Sequence, residues 1–283
     1  MLKIIRRTIL LVLLLAAALL GVIGYSYFIE PNRLTVKTFT VTTEKEISPC
    51  TVVFFTDTHF GEYYDIAHAE EIVDTINGLD PDFVLFGGDL LDNYARDRQA
   101  LDLEALRDSL SRIEARAGKF AVWGNHDYGG GAVRIYQEFM TSCGFTVLDD
   151  ESQLFEEYGI RVFGYDDVLV GWTPPELYTI QSEAFNLILS HEPCIARQIE
   201  SSSDNLLLAG HTHGGQVSLP LITARFLPPG SEGFRKGFYT QGEIGTETAL
   251  QMYVSSGIGM TRYPFRLFNV PEIVQIQLRP AEG

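Results

Sequence analysis

The sequence predicts an α/β fold of two mixed β-sheets packed together, flanked by helices and preceded by one transmembrane helix. Three observations predict it. Apolar runs of strand length alternate with amphipathic stretches of helix length through the middle of the chain. The last fifty residues are strand-rich and lack helical periodicity. The N-terminus opens on a long run without a charged residue.

That run, Thr8–Ile29, reads TILLVLLLAAALLGVIGYSYFI. Its length spans about 33 Å as a helix, slightly more than the roughly 30 Å hydrocarbon core. Tyr25, Tyr27 and Phe28 gather at one end, where interfacial aromatics belong, and Lys3, Arg6 and Arg7 flank the other. A cleaved signal peptide has a shorter apolar region with small residues at its end, whereas Ala16–Ala18 lie mid-run. The expectation is an uncleaved anchor over residues 1–29, single-pass in the cell membrane. The basic flank puts the N-terminus in the cytoplasm and the rest of the chain outside it. Residues 30–48 read as a polar spacer holding one strand, Thr35–Thr42, and residues 49–280 as the domain.

From Cys50 the strand-length runs are TVVFFT (51–56), DFVLFG (82–87), KFAVWG (119–124), NLILS (186–190) and NLLLAG (205–210). Ile66–Asn77 and Leu101–Ala117 read as helices between them, the pattern of βαβ units with a buried sheet. FTVLDD and IRVFGY, between 145 and 165, read as strands in a hairpin-like style. GFYT (237–240), LQMYVSS (250–256) and EIVQIQL (272–278) supply the late strands.

Composition narrows the function. The chain is 46% hydrophobic and 20% charged, which excludes disorder, and its net charge of −16 excludes general nucleic-acid binding. The excess of acid lies in residues 35–215; the two ends are weakly basic. Cys50, Cys143 and Cys194 are too sparse for a disulfide framework and lack metal-ligand spacing.

Chemistry gathers where the strands end. Asp57 and His59 follow the first run, Asp89 the second, and Asn125, His126 and Asp127 the third. His191 follows the fourth, and His211 and His213 the fifth. Carboxyl ends of strands are where open α/β sheets bind ligands. Five of the six histidines fall there, and only His68 does not. Gly87-Gly88, Gly124, Gly210 and Gly214-Gly215 adjoin these residues and allow the tight turns that ligand loops need. Imidazole, carboxylate and carboxamide without thiolate suit Mn²⁺, Fe²⁺ or Zn²⁺. Seven ligands are too many for one tetrahedral ion and fit two divalent metal ions sharing a carboxylate. Such a pair acidifies water and neutralises phosphoryl oxygens.

The blocks DTH (57–59), GGD (87–89), GNHD (124–127), SH (190–191) and GHTH (210–213), in this order, resemble the calcineurin-like metallophosphoesterase family. The anchor, GHTHGGQVSLP and the SSGIG…YPFR…PEI segment are similar to its membrane-anchored bacterial branch, which includes UDP-diacylglucosamine pyrophosphatases and related phosphodiesterases. The resemblance implies a four-layer sandwich and a phosphodiesterase or pyrophosphatase. It implies that Asp57, His59 and His213 hold one metal, that Asn125, His191 and His211 hold the other, and that Asp89 bridges them. It further implies that His126 assists the leaving group and that Asp127 orients His126.

For substrate contacts, Arg225, Arg235, Lys236, Arg262 and Arg266 are the candidates. Arg262 and above all Arg266, beside Pro264 and Phe265, are preferred. Leu219–Pro229 reads either as a loop near the membrane or over the site, or as buried strand. The expected partners are a phosphorylated substrate of nucleotide-linked or phospho-lipid type and the membrane; no protein partner is inferable. Two other functions fit the residues less well: a non-enzymatic metal-stabilised binding module, which has no need of His126, and a dinuclear hydrolase of other esters or amides.

Overall fold

A computed structural model describes residues 1–281. In chain order its strands are β1 (Thr35–Thr43), β2 (Cys50–Phe55), β3 (Phe83–Phe86), β4 (Gly118–Ala121), β5 (Thr146–Val147), β6 (Glu151–Phe155) and β7 (Ile160–Gly164). There follow β8 (Thr179–Ile180), β9 (Phe185–Leu189), β10 (Glu200–Ser201), β11 (Asn205–Ala209), β12 (Gly237–Tyr239), β13 (Leu250–Val254) and β14 (Glu272–Pro280). They form two six-stranded sheets, ordered β1-β14-β2-β3-β4-β5 and β12-β13-β11-β9-β7-β6, with β8 and β10 a small separate pair. Both large sheets are mixed: β2 to β5 run parallel and β14 antiparallel to β2, while β7, β9, β11 and β13 run parallel between antiparallel edges.

Strand alternation sorts side chains into layers. Val52 and Phe54 on β2, Leu85 on β3, Leu187 and Leu189 on β9 and Leu206 and Leu208 on β11 fill the space between the sheets. Val53 and Phe55, with Val84 and Phe86, face the other way and pack under Ile72, Val73 and Ile76 of the helix Ala69–Gly78 and Leu106 and Leu110 of the helix Leu103–Leu110. Ile188, Leu207, Met252 and Val254 form the outer face of the second sheet, covered by the short helices Pro193–Arg197 and Gln241–Ile244. The result is the four-layer sandwich. Because strands such as β2, β3, β9 and β11 are covered on both faces, they are continuous apolar runs in the sequence.

The N-terminal helix Leu2–Gly24 buries none of its residues and continues through Tyr25–Ile29 to Asn32, with a mean hydropathy of 2.6 in its most apolar stretch. Its distal end is fastened to the domain. Ser26, Glu30 and Pro31 are buried, Ser26 O accepts from the Arg266 N–H at 3.0 Å, and Glu30 Oε1 accepts from the Asn269 N–H. Asn32 meets His68 Nε2 at 2.9 Å. Residues 30–48 therefore are not a free spacer: they hold this joint and then β1, which pairs with β14 along its full length. The physical reason is that β14 would otherwise present a bare edge, which β1 covers. Cys50, Cys143 and Cys194 are free thiols.

Candidate metal centre at the strand ends

The turns after β2, β3, β9 and β11 meet at one end of the sandwich and lock to one another through backbone N–H groups, Gly210 N–H donating to His191 O at 3.0 Å. Asp57 N–H donates to Gly88 O at 3.0 Å, and His211 N–H donates to Asp57 Oδ1 at 3.0 Å. Asp57, His59, Asp89, His211 and His213 all take left-handed backbone conformations, φ 43° to 67°. That conformation costs a non-glycine residue on the order of 1–2 kcal/mol. Side chains in such conformations cluster at functional sites. The glycines between them give room. A Cβ on Gly210 would lie 2.3 Å from Asp57 Oδ2, and one on Gly124 would lie 2.4 Å from Asp89 Oδ1.

The side chains of six of the seven expected ligands form overlapping groups. Asp57, His59 and His213 stand together, as do Asp57, Asp89 and His191, and as do His191, Glu192 and His211. Asp89 Oδ2 lies 3.3 Å from His59 Nε2 and 3.1 Å from His191 Nε2. His213 Nε2 lies 2.9 Å from His59 Nε2 and 3.4 Å from Asp57 Oδ1. Asn125 lines the same cavity as Asp89, His126, His211 and His213, and its Oδ1 is buried without a partner.

The outward nitrogens are held by the protein. His191 Nδ1 lies 2.8 Å from Gly87 O, and His211 Nε2 lies 2.7 Å from Pro229 O. Carbonyls take the proton-bearing nitrogen, so His191 Nε2 and His211 Nδ1 carry the lone pairs. His59 Nδ1 faces Asp92 Oδ1 at 3.5 Å. Such partners fix the tautomer of a metal-ligating imidazole.

Electrostatics fit the same use. Burial, then the neighbouring His191, holds the His211 imidazole down to about 4, and burial with His59 beside it holds His213 well below the usual range. Both shifts favour the neutral imidazole, the form that binds a metal. Burial acts the same way on His59 and His191, but the surrounding carboxylates outweigh it and raise both. Burial also raises Asp57. Buried acid in excess, with His191 Nε2 and Asn125 Oδ1 lacking any hydrogen bond, is a pocket that stabilises positive charge. The donor set fits divalent cations.

His126 is placed beside this cluster, its ring edge-on to His59 with centroids 4.6 Å apart. Its Nδ1 lies 2.6 Å from the Asp92 carbonyl and 3.7 Å from Asp92 Oδ1. Asp127 does not orient it. The Asp127 carboxylate is fully buried and accepts the backbone N–H groups of Asp89, Leu90 and Gly124 at 2.8 to 3.0 Å. Burial, with Asp89 close by, pushes it up to about 8, against the pull of those three donors. The reason is geometric: in the short helix Asn125–Tyr128 successive side chains diverge, so Asp127 points back under the turn while His126 faces the cavity.

Arg266 is a second correction. It is fully buried, and its guanidinium donates to the carbonyls of Ser256, Gly259 and Asn269 at 2.7 to 3.1 Å. Burial pulls its pKa down to about 10. It cannot reach a substrate; it holds the SSGIG turn instead. That turn closes on the first ligand, with Gly259 N–H donating to Asp57 O at 2.7 Å and a Gly257 Cβ position 2.7 Å from Asp57 Cβ. Arg262 is exposed and lines the cavity; Lys236 is half-buried and donates to Asn269 Oδ1 at 2.5 Å. Leu219–Pro229 is a largely exposed loop on the cavity rim, pinned by the buried Thr223, and not buried strand.

Two carboxylates beside the cluster escape the sequence reading. Asp92 stands three positions after Asp89 in GGDLLD, and Glu192 directly follows His191. Asp92 is buried behind His59, and Glu192 is buried on the inward side of His211, its Oε1 4.0 Å from Nδ1. A second acid close behind a ligand motif is the signal that could have found them.

Strand-end carboxylates and imidazoles grouped for cations on a four-layer sandwich define a metallohydrolase. The chain belongs to the calcineurin-like phosphoesterase family, whose family model matches residues 50–215. It is a hydrolase of phosphoric esters from a family dependent on a dinuclear metal centre. It is 32% identical over 272 residues to the metallophosphoesterase YkuE of Bacillus subtilis, covering 92% of this chain and 90% of that one. It is 26% identical to the phosphodiesterase YaeI of Escherichia coli, covering 90% and 92%. A Danio rerio relative described as a transmembrane protein with metallophosphoesterase domain is 29% identical, over 81% of this chain and 53% of its own.

Proposed function

We propose that this chain is a phosphodiesterase or diphosphatase tethered to the cell membrane by residues 1–29. Asp57, His59 and His213 would hold one divalent ion and Asn125, His191 and His211 a second, with Asp89 available to both. The observation that carries the assignment is Asp89 Oδ2, within 3.3 Å of an imidazole nitrogen from each group. Mn²⁺, Fe²⁺ and Zn²⁺ suit this donor set. When bound, such a pair supplies an activated water and neutralises charge on the phosphoryl oxygens.

The chain's own residues do the rest. The Asp92 carbonyl accepts a hydrogen bond from His126 Nδ1–H, which leaves Nε2 to handle the leaving oxygen's proton. Arg262 on the rim meets the anionic end of the substrate. Lys3, Arg6 and Arg7 ahead of the helix favour a cytoplasmic N-terminus, with the domain on the other side.

The test is turnover of bis(4-nitrophenyl) phosphate by the full chain, stripped of metal and reloaded with Mn²⁺, Fe²⁺ or Zn²⁺. Metal-dependent turnover with two ions bound per chain is expected. Absence of diester and diphosphate turnover with every ion would overturn the reading, and so would one ion per chain in the active form.

A further inference from the structure

The cavity that holds the metal centre does not end there. It measures about 530 Å³, and only one end is lined by Asp89, Asn125, His126, His211 and His213. The rest of the lining is richer in apolar side chains, with Leu219, Ile222 and Phe226 from the loop and Phe265 and Leu267 from the strap after β13; Ser26 from the distal end of the N-terminal helix and Arg262 add polar groups to it. Tyr27 of that helix packs edge-on against Phe265, centroids 5.5 Å apart. The helix that suits a bilayer thus forms part of the wall of the reaction cavity.

The rim carries the same chemistry outward. Leu221 is 94% exposed and Phe226 76% exposed, and Phe28 on the helix is 70% exposed. Large apolar side chains concentrated in this way mark a surface meant for an apolar medium. The exposed residues of the helix require hydrocarbon around them, and the loop stands at the point where that helix reaches the domain.

We infer that this apolar half of the cavity is a subsite for the hydrocarbon chain of a lipid phosphoester. The chain enters along the helix–loop rim, directly from the bilayer. The phosphorus rests at the strand-end cluster and the alkyl portion lies against Ile222, Phe226 and Phe265. The substrate class is a membrane-resident lipid with a phosphodiester or diphosphate head, and the inference rests on the diester or diphosphate reading above. The observation that selects this occupant is the continuity of one cavity from metal-ligating imidazoles to the end of the membrane helix.

The experiment uses the full chain in amphipol, without a bilayer, so that partitioning into lipid adds nothing. Methyl, butyl and octyl 4-nitrophenyl phosphate are compared with Mn²⁺ present, below micelle-forming concentrations. Burial of alkyl carbons predicts that kcat/KM rises at least about tenfold from methyl to octyl. Ile222→Asp should collapse that ratio towards one. Phe226→Ser, at an exposed position that folding tolerates, should reduce it severalfold, so the inference stays testable if Ile222→Asp misfolds. Equal turnover of methyl and octyl esters would contradict the subsite alone. A steep profile that survives both substitutions would contradict its location. No turnover of any of the three esters would contradict the diester reading, and the subsite with it.

Discussion

His126 meets the protein through Nδ1 and the Asp92 carbonyl, so its proton chemistry is confined to Nε2. His126→Ala should therefore lower kcat by about 10²–10⁴, while metal analysis still finds the wild-type content. Loss of metal in that variant would move His126 into the ligand set. Asp92 acts through others. Burial alone would raise its carboxyl, but His59 and Arg96 hold it well below the usual carboxylate range, so it faces His59 as an anion. Asp92→Asn keeps the carbonyl contact and removes the charge. It should weaken metal binding or turnover by about 10–100-fold, as losing a ligand's supporting carboxylate does, read by metal titration beside kcat. An unchanged metal affinity and rate would show that the 3.5 Å approach to His59 carries no function.

The segment from Ser255 to Asn269 shows why residue type alone misleads at the scale of an element. An arginine after a glycine-rich turn near a phosphate site reads as an anion clamp. In the folded chain the turn bends back so that Ser256, Gly259 and Asn269 aim their carbonyls at Arg266, which then supports Asp57 through the backbone. Arg266→Met leaves these buried carbonyls unpaired, so unfolding free energy should fall by at least about 3 kcal/mol in urea titrations. Arg262→Ala, on the exposed rim, should change stability by less than about 0.5 kcal/mol yet raise KM for an anionic ester severalfold. The opposite pattern would return Arg266 to the substrate. Gly259 belongs to the same element: an added Cβ would lie 1.9 Å from Thr58 O, in the backbone of the ligand loop. Gly259→Ala should lower stability by about 1–3 kcal/mol or more and weaken metal binding, by thermal unfolding and metal titration. Normal values for both would mean the turn does not buttress Asp57.

For the whole molecule, the joint between the N-terminal apolar helix and the domain is the feature that decides behaviour. Ser26, Glu30 and Pro31 are buried on the domain, whereas Leu2–Gly24 touches little of it. Deleting residues 1–22 should leave the melting temperature of the detergent-solubilised domain almost unchanged. Deleting residues 1–32 removes the Glu30–Asn269 contact, and Asn269 also holds His213 O. That deletion should lower the melting temperature by about 2–4 °C for each kcal/mol lost, and should reduce metal occupancy. Equal melting temperatures for the two deletions would make the helix a mere tether.

Much of the architecture was legible because the sheets are covered on both faces, so buried strands stand out as short apolar runs ending in turn residues. The residues of the candidate site were legible too, since Asp57, Asp89, His191, His211 and His213 sit directly where such runs stop. Those are local properties, set by burial and turn chemistry within a few residues. What only the tertiary structure decided are relations between distant segments: the partner of His126, the use of Arg266, β1 as an edge strand against β14, and the meeting of helix end, apolar loop and metal centre around one cavity. Side-chain direction and backbone curvature settle these, and neither is written in any one stretch of residues.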